Sequence, residues 1–129
     1  MKINAGQARD LAQQFHDLAT AVGDFRFDRW DELAKSERDR LKDMQFMLLN
    51  NSTHFITELV GVILDDVQGD LEALQKVTAN AKKALENIAD VKKAIEIAAE
   101  LVKLGAAVAS ENPAAITSAV QETALVVGS

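Results

Sequence analysis

The chain has 129 residues, a net charge of −6 at pH 7 and a hydrophobic content of 48%. This length suits one folded domain, and we treat residues 1–129 as a single domain. The acidic balance argues against nucleic-acid binding, which needs clustered positive charge to neutralise phosphates. Cysteine is absent, which excludes disulfides, thiolate nucleophiles and cysteine-based zinc sites.

Neither a secretory signal nor a membrane span is predicted. The N-terminal stretch MKINAGQARD lacks the apolar core of a signal peptide. A transmembrane helix needs about 18 or more consecutive apolar residues with few charges. The best window, Ile95 to Val108, contains Glu96, Glu100 and Lys103. We therefore expect a cytoplasmic protein.

The first predicted helix runs from about Gln7 to Ala21, because apolar residues recur there with helical spacing. Its apolar positions step by three and four residues: Ala8, Leu11, Phe15, Leu18 and Val22. Gly23 is expected to end this helix, and Asp24 is placed to cap the element that follows.

An aromatic segment comes next, in which Phe25, Phe27 and Trp30 supply half of the six aromatic residues. A short helix is predicted over residues 28–35. Aromatic residues and arginine are enriched at interaction hot spots, so residues 25–30 are a candidate contact surface. Phe25, Arg29 and Trp30 are the contact residues selected within it. The alternative is that Phe27 and Trp30 close one end of a helical bundle from the inside.

A longer helix is predicted to begin near Ser36, whose hydroxyl is placed to cap the backbone amide of Asp39. Residues 50–53, Asn-Asn-Ser-Thr, put polar side chains in or beside its apolar stripe. Either the helix breaks there, or these side chains find partners inside the bundle, and we favour a continuous helix. The predicted inner face consists of Leu41, Met44, Leu48, Phe55, Leu59 and Val62.

The sequence DDVQGD, Asp65 to Asp70, is the best candidate for a turn in mid-chain. Gly69 suits the left-handed conformation that often ends a helix. The alternative is one unbroken helix over residues 37–108, about 105 Å long. Such a helix would imply a rod or an intertwined oligomer.

An apolar seam follows, with ten uncharged positions at heptad-like spacing. They are Leu74, Val77, Ala81, Ala84, Ile88, Val91, Ile95, Ala98, Val102 and Gly105. A seam of this kind requires protein neighbours. Its apolar arc widens after Val91, and we predict that Ile95, Ala98, Leu101 and Val102 form either core or an interface.

The last helix is predicted to start at Asn112 and Pro113, a capping residue followed by a proline at the first helical position. It should run to about Val126. Its weaker apolar stripe is Ile116, Ala119 or Val120, and Thr123. The fold class that follows is all-α: an antiparallel bundle of four or five helices with coiled-coil-like packing.

No catalytic, metal or cofactor site is predicted. His54 and Glu58 have the spacing of a metal-binding pair on one helix, but no second pair completes a site. Asp24, Asp28 and Asp31 share a helix face, as solvated carboxylates commonly do. Glycine-rich phosphate loops and Ser/His/Asp arrangements are absent from the sequence.

These observations favour a non-enzymatic interaction or assembly protein. We expect it to self-associate through an apolar helix face, so its partner would be a second copy or another protein. The alternative is a membrane-active helical protein, such as a component of an α-helical pore-forming system. The apolar stretches at residues 59–64 and 105–109 are the features that admit it.

Overall fold

The chain is an all-α bundle, as the sequence predicts. The structure is a computed structural model that describes residues 2–58 and 67–128, and of residues 67–70 the backbone alone. These ranges contain five α-helices and one 3₁₀ turn, η1. They are α1 (Ala5–Asp28), η1 (Trp30–Glu32), α2 (Lys35–Glu58), α3 (Val67–Asn87), α4 (Val91–Ala109) and α5 (Pro113–Gly128).

The five helices pack as a ring in the order α1, α2, α4, α5, α3. Helices α1 and α2 are antiparallel, since Arg26 near the end of α1 bonds to Arg38 near the start of α2. Farther along the pair, Ser52 bonds to Ala12. Helices α3 and α4 touch each other only slightly, and α5 packs against both of them.

The core occupies the centre of this ring. Phe15 of α1 meets Phe55 of α2 edge to face, with ring centroids 5.0 Å apart. The predicted inner face of α2 is confirmed at Leu41, Met44, Leu48 and Phe55, all of which are buried. Leu59 and Val62, which were assigned to the same face, lie outside the described residues.

The predicted break at Gly23 is wrong, because α1 continues through this residue to Asp28. Gly23 is buried, and a Cβ there would overlap the amide nitrogen of Gln45. The glycine therefore permits a close approach of α1 and α2. Its cost in helix propensity, about 1 kcal/mol, is offset by this packing. Asp24 lies inside the helix and caps nothing.

The polar residues of α2 fit the favoured alternative, since the helix is continuous from Lys35 to Glu58. Ser52 is buried, and its hydroxyl donates a hydrogen bond to the Ala12 carbonyl at 2.7 Å. An unsatisfied hydroxyl at this depth would cost about 1–3 kcal/mol. Asn51 lies against Gly105 of α4.

The predicted seam is divided between two helices, so the unbroken helix over residues 37–108 is wrong. Helix α3 ends at Asn87, and α4 begins at Val91 after the side chain of Asp90 caps its first turn. Heptad spacing continues across this break because both helices bury the same kind of face. Spacing alone does not reveal the cap.

Gly69 does not end a helix, because it lies in the first turn of α3. The turn was predicted over residues 65–70, of which 65 and 66 lie outside the described residues. The short helix predicted over residues 28–35 is also wrong. The end of α1 and the single turn η1 take its place, and Leu33 then enters the core.

Side-chain caps fix several helix starts. Asn112 accepts backbone N–H bonds at the start of α5, which confirms the predicted cap. Asn4 and Asp90 cap α1 and α4 in the same way. At the start of α2 the predicted cap Ser36 is inside the helix, and the carboxylate of Glu37 accepts a backbone N–H at 2.8 Å instead.

We predict that Gly105→Ala lowers the free energy of unfolding by about 1–3 kcal/mol. The new Cβ would overlap the Asn51 amide and lie 3.2 Å from Cε1 of Phe15, which is fully buried and has no room to move. Urea denaturation followed by circular dichroism measures the change.

Gly23→Ala is the matched control. Its obstacle is the far end of the Gln45 side chain, which is free to rotate, and alanine gains about 0.5–1 kcal/mol in helix propensity. We expect little net change in stability. Equal destabilisation by both substitutions would contradict the role of Gly105 as the tighter contact.

Candidate functional site

The corner between α1 and α2 exposes two large aromatic side chains. Phe27 has 70% of its surface exposed and Trp30 has 40%. Their rings stack with centroids 6.2 Å apart and an interplanar angle of 24°. They do not close the bundle from inside, which was one of the two roles expected of them. Adjacent exposed aromatics mark a surface where a partner gains apolar contact.

The local fold explains why these rings face outward. Phe25 and Phe27 are two positions apart on α1 and so point to different sides of the helix, with Phe25 buried in the core. The chain leaves the helix at Arg29 and makes the turn η1. Leu33 then anchors the chain in the core, which leaves Trp30 at the surface of the turn.

Two arginines lie against the tryptophan. The guanidinium carbons of Arg26 and Arg38 are each 4.8 Å from the centroid of the Trp30 ring, and that of Arg26 is 5.8 Å from the centroid of Phe27. These are cation–π distances. We call Arg26, Phe27, Trp30 and Arg38 the aromatic–arginine cluster.

Backbone hydrogen bonds fix both guanidinium groups. Arg26 donates from Nε to the Arg38 carbonyl at 3.1 Å. Arg38 donates from Nη1 to the carbonyls of Trp30 and Leu33, at 3.1 and 3.3 Å. These bonds join the end of α1, the turn η1 and the start of α2. The fold itself therefore holds the two arginines and the backbone of Trp30 in place.

Neither guanidinium of the cluster makes an ion pair with a carboxylate in the parts of the chain that the structure describes. Both arginine side chains are half-buried, so part of each remains accessible to solvent. A guanidinium has five N–H donors. The backbone bonds leave several of these donors for a ligand.

Arg29, a predicted contact residue, has a structural role instead. It donates to the Glu32 carboxylate and to the Ile88 carbonyl, both at 3.2 Å. The second bond ties this corner to the connection between α3 and α4. Its guanidinium also lies 5.9 Å from the ring of Phe25, which is buried. Of the three contact residues predicted here, Trp30 alone is an exposed part of the cluster.

The predicted contact residues on α4 lie apart from this corner. Ile95, Ala98 and Leu101 are buried in the core of the chain, and Val102 is half-buried. The sequence predicts that these residues form either the core or an interface, and it does not decide between the two. Their burial within one chain assigns the first three to the core.

The predicted contact surface, residues 25–30, contains Arg26 and Phe27, but neither was selected as a contact residue. Arg38 was missed altogether. The outward direction of Phe27 follows from helical spacing once α1 is known to pass Gly23. For Arg38 the sequence contains no comparable signal, because its place over Trp30 depends on how α2 packs beside η1. Arg38 and Trp30 are eight positions apart, and the packing of two different elements brings them together.

His54 and Glu58 are both exposed on α2. Within residues 2–58 and 67–128, no set of three or more metal-ligating side chains is placed to hold an ion. None of the helices described there combines the length and apolarity needed to cross a membrane.

No protein-family model, curated protein or solved structure matches the chain. The functional conclusion therefore depends on the geometry of the chain itself.

We predict that Arg38→Ala shifts the fluorescence of Trp30, the single tryptophan, to longer wavelength and makes it easier to quench with iodide. The substitution removes the cation–π contact and the bonds to the Trp30 and Leu33 carbonyls. It should also cost about 1–2 kcal/mol of stability.

Lys42→Ala, one helical turn farther along α2, is the control and should leave both the spectrum and the stability nearly unchanged. Lys42 is exposed. An unchanged Trp30 spectrum in Arg38→Ala would show that Arg38 does not order the indole.

Proposed function

We propose that this chain is a non-enzymatic protein-interaction module whose contact surface is the aromatic–arginine cluster. The observation that carries the proposal is the pair of stacked, exposed rings of Phe27 and Trp30, held by two arginines that are themselves bonded to the backbone. Tryptophan and arginine dominate the energetics of many protein interfaces. That the module has no enzymatic activity stays a prediction from the sequence.

Side chains of the aromatic–arginine cluster are already ordered before a partner binds, and this supports a role in binding. Immobilising a flexible side chain at an interface costs about 0.5–1.5 kcal/mol. In this cluster the fold has already restricted Arg26, Arg38 and Trp30 through hydrogen bonds and cation–π contacts. A partner that binds here loses less entropy than one that must order free side chains.

Three of the predicted contact residues on α4 do not support self-association through this helix. Ile95, Ala98 and Leu101 are buried within the single chain, so a contact between copies over these residues would require the bundle to open. A second copy that binds without such opening would contact residues other than these three. The aromatic–arginine cluster is the surface we propose for any such contact.

We expect light scattering coupled to size-exclusion chromatography to give the mass of one chain, 14.0 kDa, at micromolar concentration. A dimer that dissociates on Trp30→Ser would identify a second copy as the partner. A dimer that survives this substitution would place self-association on a different surface and contradict the proposed one.

A direct test selects binders from a phage library of random peptides against the immobilised chain. Trp30→Ser should weaken the selected peptides about thirtyfold, the loss expected when a hot spot of about 2 kcal/mol is removed. Phe46→Ser is the matched control, because Phe46 is an exposed aromatic on α2 outside the cluster. It should leave binding unchanged.

Failure to recover peptides that depend on Trp30 would overturn the proposal.

The membrane-active alternative stays a prediction and gains no support from the described residues. Gly105 and Val108, in one of the two stretches that admitted it, are buried. The other, residues 59–64, lies outside the described residues. Absence of liposome flotation at any pH would remove this alternative.

A further inference from the structure

We propose that the partner is a peptide segment with an isolated carboxylate beside an apolar side chain, and that Arg26 and Arg38 bind this carboxylate. This assignment rests on the proposed function and adds the chemical class of the ligand. The apolar side chain would pack on Phe27 and Trp30. The juxtaposition of two incompletely bonded guanidiniums with two exposed rings is the observation that carries it.

The two guanidinium groups converge on one place. Each has its central carbon 4.8 Å from the same indole centroid. Arg26 uses Nε for a backbone carbonyl, and Arg38 uses Nη1. The remaining nitrogens have no acceptor among the residues that the structure describes. A planar guanidinium with free N–H groups matches a carboxylate with two parallel hydrogen bonds.

Several charged side chains near the cluster already have partners within the chain. Arg29 pairs with Glu32 at 3.2 Å, and Lys35 pairs with Asp39 at 3.3 Å. The carboxylate of Glu37 accepts a backbone N–H at the start of α2. Arg29 and Lys35 already have carboxylate partners, and none of the carboxylates of Glu32, Glu37 and Asp39 lies within ion-pair distance of Arg26 or Arg38 in the described residues.

Two further carboxylates near the cluster limit what can bind. Asp28 and Asp31 are exposed, and neither makes an ion pair within the described ranges. They would repel a run of acidic residues approaching the same corner. A single carboxylate avoids most of this repulsion while still reaching the guanidiniums. Specificity of this kind combines an attractive contact with a repulsive one.

The experiment uses a synthetic peptide library with a fixed central leucine or phenylalanine and flanking positions drawn equally from Asp, Asn, Lys and Ala. Peptides retained by the unmodified chain should favour a single Asp over Asn. Resynthesis of a retained peptide with Asn in place of Asp should weaken binding about tenfold, because a charge-assisted hydrogen-bonded contact is lost. Added salt should weaken the Asp peptide more than the Asn peptide.

Arg26→Gln and Arg38→Gln should reduce the preference for Asp over Asn, whereas Lys42→Gln should retain it. The preference is a ratio within one protein variant, so a partial loss of stability or of Trp30 ordering does not by itself change it. The exchange of Asp for Asn in the peptide requires no protein variant, and it remains decisive if an arginine substitution unfolds the chain.

The outcomes separate the two proposals. Peptides that depend on Trp30 but bind equally well with Asn, or that favour Lys or several Asp residues, would overturn the carboxylate assignment and leave the interaction surface intact. A library without peptides that depend on Trp30 would overturn both. A single Asp preference that persists in both Arg→Gln variants would also remove the arginines as its origin.

Discussion

The register of the α1–α2 pair is the constraint on which the rest of the molecule depends. Two hydrogen bonds set it at different heights, that of Ser52 to the Ala12 carbonyl and that of Arg26 to the Arg38 carbonyl. A slip of the pair would separate the Ser52 hydroxyl from the Ala12 carbonyl, and a hydroxyl left unsatisfied at this depth costs about 1–3 kcal/mol. The same slip would separate Arg38 from Trp30. Core packing and the surface cluster therefore share one geometric origin.

This shared origin explains how a small bundle maintains an ordered aromatic surface. An exposed ring on a free loop would sample many rotamers. Here the backbone carbonyls of Trp30, Leu33 and Arg38 accept bonds from the same arginines that lie against the indole. The turn η1 is only three residues long, so little backbone freedom remains between the two helices. Order at the surface is thus supplied by the helices that build the core.

Local patterns in the sequence predict the fold class, the inner face of α2 and the start of α5. They fail where the role of a residue depends on its contact with a residue that is distant in the sequence. Gly23 resembles a helix break until Gln45 is placed over it, and the heptad spacing of the seam conceals the cap at Asp90. The candidate site was predictable in part, since Trp30 was singled out. Arg38 was not, because helical periodicity contains no information about which side chain from α2 would cover the turn.

The slight contact between α3 and α4 has a consequence for the order in which the molecule assembles. These helices are joined by residues 88–90, yet α5 is the element that packs against both and completes the ring. Synthesis proceeds from the N-terminus, so α3 and α4 exist before the helix that covers them. Until α5 emerges from the ribosome, the faces of α3 and α4 that it later buries remain exposed to solvent. The nascent chain is therefore prone to aggregation in the interval after α4 has emerged and before α5 has.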